Sequence, residues 1–192
     1  MADTETEQSE SRFILSRVFP KQGSLVMPDS KAHLAFWFLM VGGLALDLWT
    51  KKAIFDWLGP RERYSVIDGF LQFVPALNNG AAFNWFAGKS YFLTAVSIIA
   101  TLAIFALFLF GGGRQRLVQI ALGLFAAGVC GNLYDRVFNG GLVRDFIDVY
   151  YRSYHWHTFN VADSLLCVGV GLLILSTFFT EKPARTRDPQ RK

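Results

Sequence analysis

Four long runs of apolar residues limit what this chain can fold into more than any other feature. They cover residues 32–50, 91–110, 117–134 and 161–179. Each run is close to the roughly 20 residues that an α-helix needs to cross a bilayer. Their apolar residues do not alternate with polar ones at the period of a strand or of an amphipathic helix. We therefore predict a mainly α membrane protein with four transmembrane helices.

Composition excludes several other classes of protein. Hydrophobic residues make up 52% of the 192 residues and charged residues only 18%, which is too apolar for an ordinary soluble domain. The net charge of +4 lies in short stretches beside the apolar runs, a pattern that suits lipid headgroups better than nucleic acid. Cys130 and Cys167 both lie inside apolar runs, so neither a disulfide framework nor a zinc site is predicted.

Basic residues beside the runs predict the orientation of the chain in the membrane. The turn between the second and third runs carries Arg114 and Arg116 without an acid, and further basic residues precede the first run and follow the last. By the positive-inside rule, this turn and both termini are cytoplasmic. The predicted organisation is a polar cytoplasmic tail at 1–30, a membrane domain at 31–180 with outward loops at 51–90 and 135–160, and a basic cytoplasmic tail at 181–192.

The two outward loops contain nearly all the polar residues that are not in the tails. The first loop has strand-like apolar and aromatic residues interrupted by turn formers, which predicts a small β-rich outer (periplasmic) lobe. Asp135, Asp145, Asp148 and Asp163 fall on the same side. Because an ionised side chain at bilayer depth costs about 2.5 to over 10 kcal/mol, these acids need partners or a function.

Polar residues near the first two runs fit more than one role. Asp47 and Lys51 are one helical turn apart and can form an ion pair, either as a membrane-edge anchor, which the sequence favours, or as part of a site. Asn78 and Gly80 fit a turn. With the nearby Phe83, they also fit a loop that holds a peptide at the membrane surface.

The acids near the third and fourth runs also fit more than one role. Asp135 and Arg136 either mark the water boundary or form an ion-paired scaffold. Asp145 and Asp148 would share one face of a helix but would point to opposite faces of a strand. Asp163 lies at the start of the fourth run, where a helix N-terminus favours a carboxylate and where a capping role is the alternative to catalysis.

The available side chains favour hydrolysis by a pair of carboxyl groups. His33, His155 and His157 lack further ligands at a useful spacing, so no metal or other cofactor is predicted. Ser164 has no convincing base, although a serine paired with Lys51 stays open. Two close carboxyl groups share a proton, and the ionised group then takes a proton from water while the protonated group polarises the scissile carbonyl.

Five short segments resemble, in the same order, the bacterial lipoprotein signal peptidases, also called signal peptidase II. The segments are DLWTKK, NNGAAF, GNLYDR, VRDFID and FNVADS, and the resemblance extends over residues 32–179. It implies a four-helix aspartic endopeptidase of the bacterial inner membrane with its site near the outer face. It also implies that the substrates are diacylglyceryl-modified prolipoproteins, cut just before the lipidated cysteine, and that globomycin-type inhibitors and membrane lipids bind.

The resemblance also implies roles for individual residues. The catalytic pair would be Asp145 and Asp163, and Asn160 would orient the site. Further roles follow in the same way: Asn132 and Arg136 contact the substrate backbone or hold the helices, Asn78 and Gly80 grip the peptide, and Asp47 and Lys51 support the site.

Two residues complicate this assignment. Asp135 is the main competitor for a catalytic place, because it also lies at the outer face beside Arg136. Arg144 departs from the family pattern by replacing an apolar residue, and a cation there is expected to lower the pKa of the neighbouring acid.

The leading alternative function is a small membrane transporter or proton relay, because acids in membranes also conduct protons. A protein of that kind is expected to carry polar residues at mid-depth, whereas the centres of the second and fourth runs are apolar. A purely structural or assembly protein would not explain why the acids cluster on one side.

Overall fold

The computed structural model describes residues 30–59, 61–82, 85–110 and 116–178, without the side chain of Ala32. The predicted tails, apart from Ser30, lie outside these ranges, as do Arg114 in the predicted cytoplasmic turn and Phe83 in the predicted peptide-holding loop.

Four helices form most of the described chain. They are α1 (Ser30–Leu58), α2 (Ser90–Phe110), α3 (Arg116–Phe138) and α4 (Val161–Phe178). All four are long and apolar enough to cross a membrane, and the chain is a multi-pass membrane protein. Helix α1 continues past residue 50, where the first apolar run ends, because Lys52 and Asp56 pair one turn apart at 2.7 Å and Leu58 is buried.

Helix α3 lies at the centre of the bundle and contacts each of the other three helices. In its most apolar stretch 56% of the residues are buried, against 11–17% in the other helices. Close packing depends on small residues: a Cβ at Gly128 would lie 2.5 Å from the carbonyl oxygen of Ala162. Only glycine lets α3 and α4 approach so closely at this point.

An apolar core joins α1, α2 and α3 at the end of the bundle away from the sheet. It includes Phe36, whose ring stacks on that of Phe108 with the ring centroids 3.8 Å apart. Outside this core, large apolar side chains such as Phe38, Ile99 and Ile174 are exposed on the helix surfaces. Surfaces of this kind are covered by lipid in a membrane protein.

A four-stranded antiparallel sheet covers the other end of the bundle. Its strands are β1 (Tyr64–Ile67), β2 (Leu71–Asn78), β3 (Val143–Tyr151) and β4 (Tyr154–His155), in the order β1-β2-β3-β4. Strands β2 and β3 contact α1, and β3 contacts α3. The prediction of a mainly α membrane protein with a small β-rich lobe is confirmed.

The β2–β3 register sets the geometry of the candidate site. It is irregular between Phe73 and Ala76, because Pro75 has no N–H to donate to the ladder. Beyond the irregularity, Ala76 pairs with Asp145 and Asn78 pairs with Val143. The end of β2 therefore lies directly beside Asp145.

Candidate active site

Asp145 lies on β3 and its side chain is only 2% exposed. Two amide groups donate hydrogen bonds to its carboxylate: Asn78 Nδ2 to Oδ2 at 3.0 Å and Asn160 Nδ2 to Oδ1 at 2.6 Å. The strand register explains the first contact, because it brings the end of β2 alongside Asp145. Two residues that the resemblance placed in the site, Asn78 and Asn160, therefore both contact this acid.

Asp163 lies in the first turn of α4. Its backbone N–H donates to Asn160 Oδ1 at 2.9 Å, and its Oδ2 accepts from the Asn160 backbone N–H at 3.2 Å. This reciprocal arrangement is a capping box in which Asn160 is the N-cap. The other carboxylate oxygen of Asp163, Oδ1, accepts a hydrogen bond from Asn132 Nδ2 at 2.8 Å.

Asn132 and Asn160 join the two acids in one hydrogen-bond network. Asn160 Nδ2 donates to Asn132 Oδ1 at 3.1 Å as well as to Asp145. Asn132 in turn donates to Asp163. The structure therefore brings together Asp145 and Asp163, which the sequence separates by 17 residues, around two shared amide side chains.

The environment of Asp145 raises its pKa to about 6. Burial is the largest cause, and the nearby charge of Asp163 adds to it, whereas the hydrogen bonds from Asn78 and Asn160 oppose the shift. A carboxyl group with such a pKa retains a proton closer to neutral pH than an exposed aspartate does. This suits one member of a pair that shares a proton.

Asp148 lies outside this network. It is three residues after Asp145 on a strand, so the two side chains point to opposite faces of the sheet. Asp148 Oδ2 accepts a hydrogen bond from Gln72 Nε2 at 2.6 Å and lies 2.8 Å from His155 Nδ1. Asp148 thus links β3 to β2 through Gln72 and to β4 through His155.

Lys51 forms the centre of a buried charge cluster beneath the acids. Its ammonium nitrogen lies 2.7 Å from Asp47 Oδ2, 3.1 Å from Asn132 Oδ1 and 3.4 Å from Asp135 Oδ2. These three contacts match the three donors of an ammonium group. Ser164 donates instead to the backbone oxygen of Asn160 at 3.1 Å, so Ser164 is not the partner of Lys51.

Asp47 connects this cluster to the start of α4. Its Oδ1 accepts a hydrogen bond from the backbone N–H of Ala162 at 2.8 Å. The side chains of Asp47 and Lys51 are both 0% exposed, which contradicts the favoured interpretation of a membrane-edge anchor. The pair lies inside the protein because α1 and α4 each supply part of one polar core.

Arg144 does not act on the neighbouring Asp145 as the sequence led us to expect. Its guanidinium turns to Asp135, with Nη2 2.6 Å from Oδ1, and its backbone N–H donates to Asp135 Oδ2 at 2.9 Å. The groups that lower the pKa of Asp145 are Asn78, Asn160 and Lys51, and the net shift is upward, so the expected lowering by Arg144 is wrong. Asp135 is 0% exposed and is bound by cations, which fits the alternative of an ion-paired scaffold.

Asn78 and Gly80 form a turn next to the acids. Asn78 Oδ1 accepts a hydrogen bond from the Gly80 backbone N–H at 2.8 Å, and the Gly80 carbonyl accepts one from Arg136 Nη2 at 3.0 Å. Arg136 therefore ties this turn to α3. The turn interpretation is confirmed, and the position beside Asp145 leaves the peptide-holding role as a prediction.

A groove of about 740 Å³ opens beside the network. Its polar end is lined by both acids together with Asn78, Asn132 and Arg136. Its other walls are apolar and come from α2, α3 and α4, with Val96, Ala100, Phe125, Val129 and Leu166 among the lining residues. The groove thus joins a pair of carboxyl groups to a surface suited to hydrocarbon chains.

Sequence reasoning missed one wall of this groove, formed by Trp156, His157, Thr158 and Phe159. Phe159 is held against β3, since its carbonyl accepts from the backbone N–H groups of Phe146 and Ile147 at 3.0 and 2.8 Å. The only sequence signal was an aromatic segment that directly precedes Asn160.

Comparisons with known proteins agree with this architecture. The family model described as signal peptidase (SPase) II matches residues 39–179. A lipoprotein signal peptidase of Geobacter sulfurreducens is 40% identical over 147 residues, which cover 75% of this chain and 91% of the relative. One of Rhodopirellula baltica is 39% identical over 162 residues, which cover 76% of this chain and 72% of the relative.

Solved structures give the same result. A bacterial membrane enzyme solved at 2.3 Å is similar with a TM-score of 0.72 and 29% identity, covering 86% of this chain and 99% of the other. A second bacterial membrane enzyme, solved at 1.9 Å, gives a TM-score of 0.66 and 30% identity over 83% of this chain and all of the other. Because the family model spans most of the chain and the relatives match along most of their own length, the chain belongs to the signal peptidase II family.

Proposed function

We propose that the chain is an aspartic endopeptidase that removes the signal peptide from diacylglyceryl-modified prolipoproteins and cuts just before the lipidated cysteine. Membership of the signal peptidase II family makes it a peptidase of lipoprotein processing. The observation that carries the aspartic mechanism is the network in which Asn132 and Asn160 join Asp145 to Asp163 at the polar end of the groove.

The surroundings of the two acids support a division of roles between them. Asp163 accepts two hydrogen bonds and lies in the first turn of α4, where the helix dipole favours a negative charge. Asp145 is buried and has a pKa of about 6, so it is the better holder of the shared proton. In the proposed active form, Asp145 carries the shared proton and Asp163 is the carboxylate that acts as the base.

In the proposed hydrolysis one acid acts as the base and the other as a hydrogen-bond donor. The Asp163 carboxylate takes a proton from a water molecule as that water attacks the scissile carbonyl carbon. The Asp145 carboxyl group donates a hydrogen bond to the carbonyl oxygen, where negative charge develops. As the tetrahedral intermediate collapses, the leaving nitrogen takes the proton held by Asp163, and the peptide bond breaks.

The groove provides a place for both parts of the substrate. The acyl chains of the lipidated cysteine lie along the apolar walls from α2, α3 and α4, while the peptide crosses the polar end beside Asn78, Gly80 and Arg136. Much of the binding free energy then comes from the lipid and not from side-chain charge. Globomycin-type inhibitors are expected to occupy the same groove.

The proposed location is the bacterial inner membrane, with the site near the outer face. The C-terminal end of α3 lies beside the sheet, whereas the basic Arg116 is exposed at its N-terminal end. This asymmetry fits a cytoplasmic α2–α3 turn and cytoplasmic termini.

The test is cleavage of a purified lipidated prolipoprotein by Asp145→Asn and Asp163→Asn variants. We expect each to reduce kcat by at least about 10³-fold, because neither residue can be replaced by an amide in proton transfer. Asp148→Asn is the matched control, since it changes a buried acid of the same strand outside the network and is expected to retain most of the activity. Near-normal turnover by either site variant would remove that residue from the proposed pair.

A further inference from the structure

Asp135 is a buried acid with two cationic partners of unequal strength. Arg144 Nη2 lies 2.6 Å from Asp135 Oδ1, and Arg144 Nε lies 3.2 Å from the same oxygen. The Lys51 ammonium is more distant, at 3.4 Å from Oδ2. Arg144 is therefore the main counter-charge of Asp135, in the planar fork geometry that suits a carboxylate.

Lys51 is closer to two other groups. It lies 2.7 Å from Asp47 Oδ2 and donates to Asn132 Oδ1 at 3.1 Å. Lys51 can donate a hydrogen bond to Asn132 because Asp135 is already paired with Arg144. If Arg144 were removed, Asp135 would be a fully buried anion whose remaining ion pair, among the described residues, is the one with Lys51, and such an anion attracts a cation within reach.

The contact from Lys51 sets the orientation of the Asn132 amide. Asn132 Oδ1 accepts hydrogen bonds from Lys51 and from Asn160, and this leaves Nδ2 to donate to Asp163. The opposite orientation would place the amide N–H groups against an ammonium group and the amide oxygen against a carboxylate, and both contacts are repulsive.

We propose that Arg144 is a positioning residue for the reaction: by neutralising Asp135 it leaves Lys51 free to hold Asn132, which in turn orients Asp163 and, through Asn160, Asp145. The proposal rests on the proposed function, because it concerns the alignment of the same two acids. Arg144 is not one of the described residues that line the groove, so it acts on the substrate only through these intermediates.

The first measurement is steady-state cleavage of a lipidated prolipoprotein by an Arg144→Met variant of the full chain. We expect kcat to fall by about 100-fold, as for a catalytic group displaced by about 1 Å, while KM changes by less than about twofold. Arg152→Met is the matched control, because Arg152 is an exposed arginine in the turn after β3 and lies outside the cluster. A rise in KM at constant kcat would overturn the proposal by showing that Arg144 acts on substrate binding.

The second measurement combines Arg144→Met with Asp135→Asn, which removes the buried anion that Arg144 neutralises. We expect the double variant to exceed Arg144→Met in kcat by at least about tenfold, since Lys51 is no longer drawn away from Asn132. A double variant no more active than Arg144→Met would refute the role of Arg144.

Two comparisons keep the result interpretable. If Arg144→Met alone does not fold, the double variant is compared with Asp135→Asn, and equal kcat values are expected because Arg144 then has no anion to neutralise; a further tenfold loss would contradict the proposal. Asp145→Asn is assayed in parallel. An active Asp145→Asn enzyme refutes the proposed function, whereas an inactive one together with a failed rescue refutes only the role of Arg144.

Discussion

Ionisation of Asp145 is predicted to destabilise the folded protein as the pH rises. The pKa of this carboxyl group is about 6 in the folded chain, against an ordinary value of 3.8, because it is buried and close to Asp163. The folded state therefore retains a proton that the unfolded chain releases. Its contribution to stability is fully present below about pH 4 and is lost as the pH rises through about 6.

The size of the effect follows from the pKa. A difference between 3.8 and about 6 corresponds to about 3 kcal/mol of unfolding free energy, at about 1.36 kcal/mol per pH unit. No discount for solvent screening applies, since the side chain is 2% exposed. For a chain of this size, the change corresponds to roughly 6–12 °C in Tm.

The assay is thermal unfolding of purified wild-type and Asp145→Asn protein between pH 4 and pH 7.5. The difference in Tm between the two proteins isolates Asp145 from all other titrating groups. As the pH rises across this range, we expect the unfolding free energy of Asp145→Asn to increase by about 3 kcal/mol relative to that of the wild type. A relative change in unfolding free energy below about 1 kcal/mol would refute the idea that ionisation of Asp145 destabilises the folded state. In the Asp163→Asn variant, the unfolding free energy should change less with pH than in the wild type. The reason is that the nearby charge that raises the pKa of Asp145 has been removed.

Three further predictions follow from contacts elsewhere in the site. Asn78→Ala removes a hydrogen bond that lowers the pKa of Asp145, so the alkaline limb of the pH–kcat profile should move to higher pH. Asn79→Ala is the control, because Asn79 is an exposed neighbour, and it should leave the alkaline limb in place. Asp47→Asn should lower the unfolding free energy by about 3–5 kcal/mol, because it leaves the buried Lys51 without its nearest counter-ion; a loss below about 1 kcal/mol in a denaturation assay would contradict this. Gly128→Val should lower the unfolding free energy by about 1–3 kcal/mol or more and reduce Tm, since its Cβ would lie 2.5 Å from the Ala162 carbonyl oxygen. Gly42→Val is the control, because a Cβ at Gly42 would meet no atom within 4 Å.

The sequence by itself determined the membrane architecture and the local structure around the acids. Four apolar runs of membrane length leave few alternatives to four spanning helices, since every backbone polar group must be satisfied inside the lipid. The Asp47–Lys51 pair follows from helical spacing, and the capping role of Asp163 follows from the preference of a helix N-terminus for a carboxylate. These features depend on residues within four positions of each other, so they can be inferred from a local pattern.

Only the tertiary structure decided which polar groups meet. Asp47 binds the backbone of Ala162 across 115 positions, and Lys51 reaches Asn132 across 81. No local pattern could indicate that the guanidinium of Arg144 turns away from Asp145 to Asp135, or that burial raises the pKa of Asp145 to about 6. Charge partners and desolvation depend on which helices pack together, and in this protein the packing of α3 against the other three helices sets both.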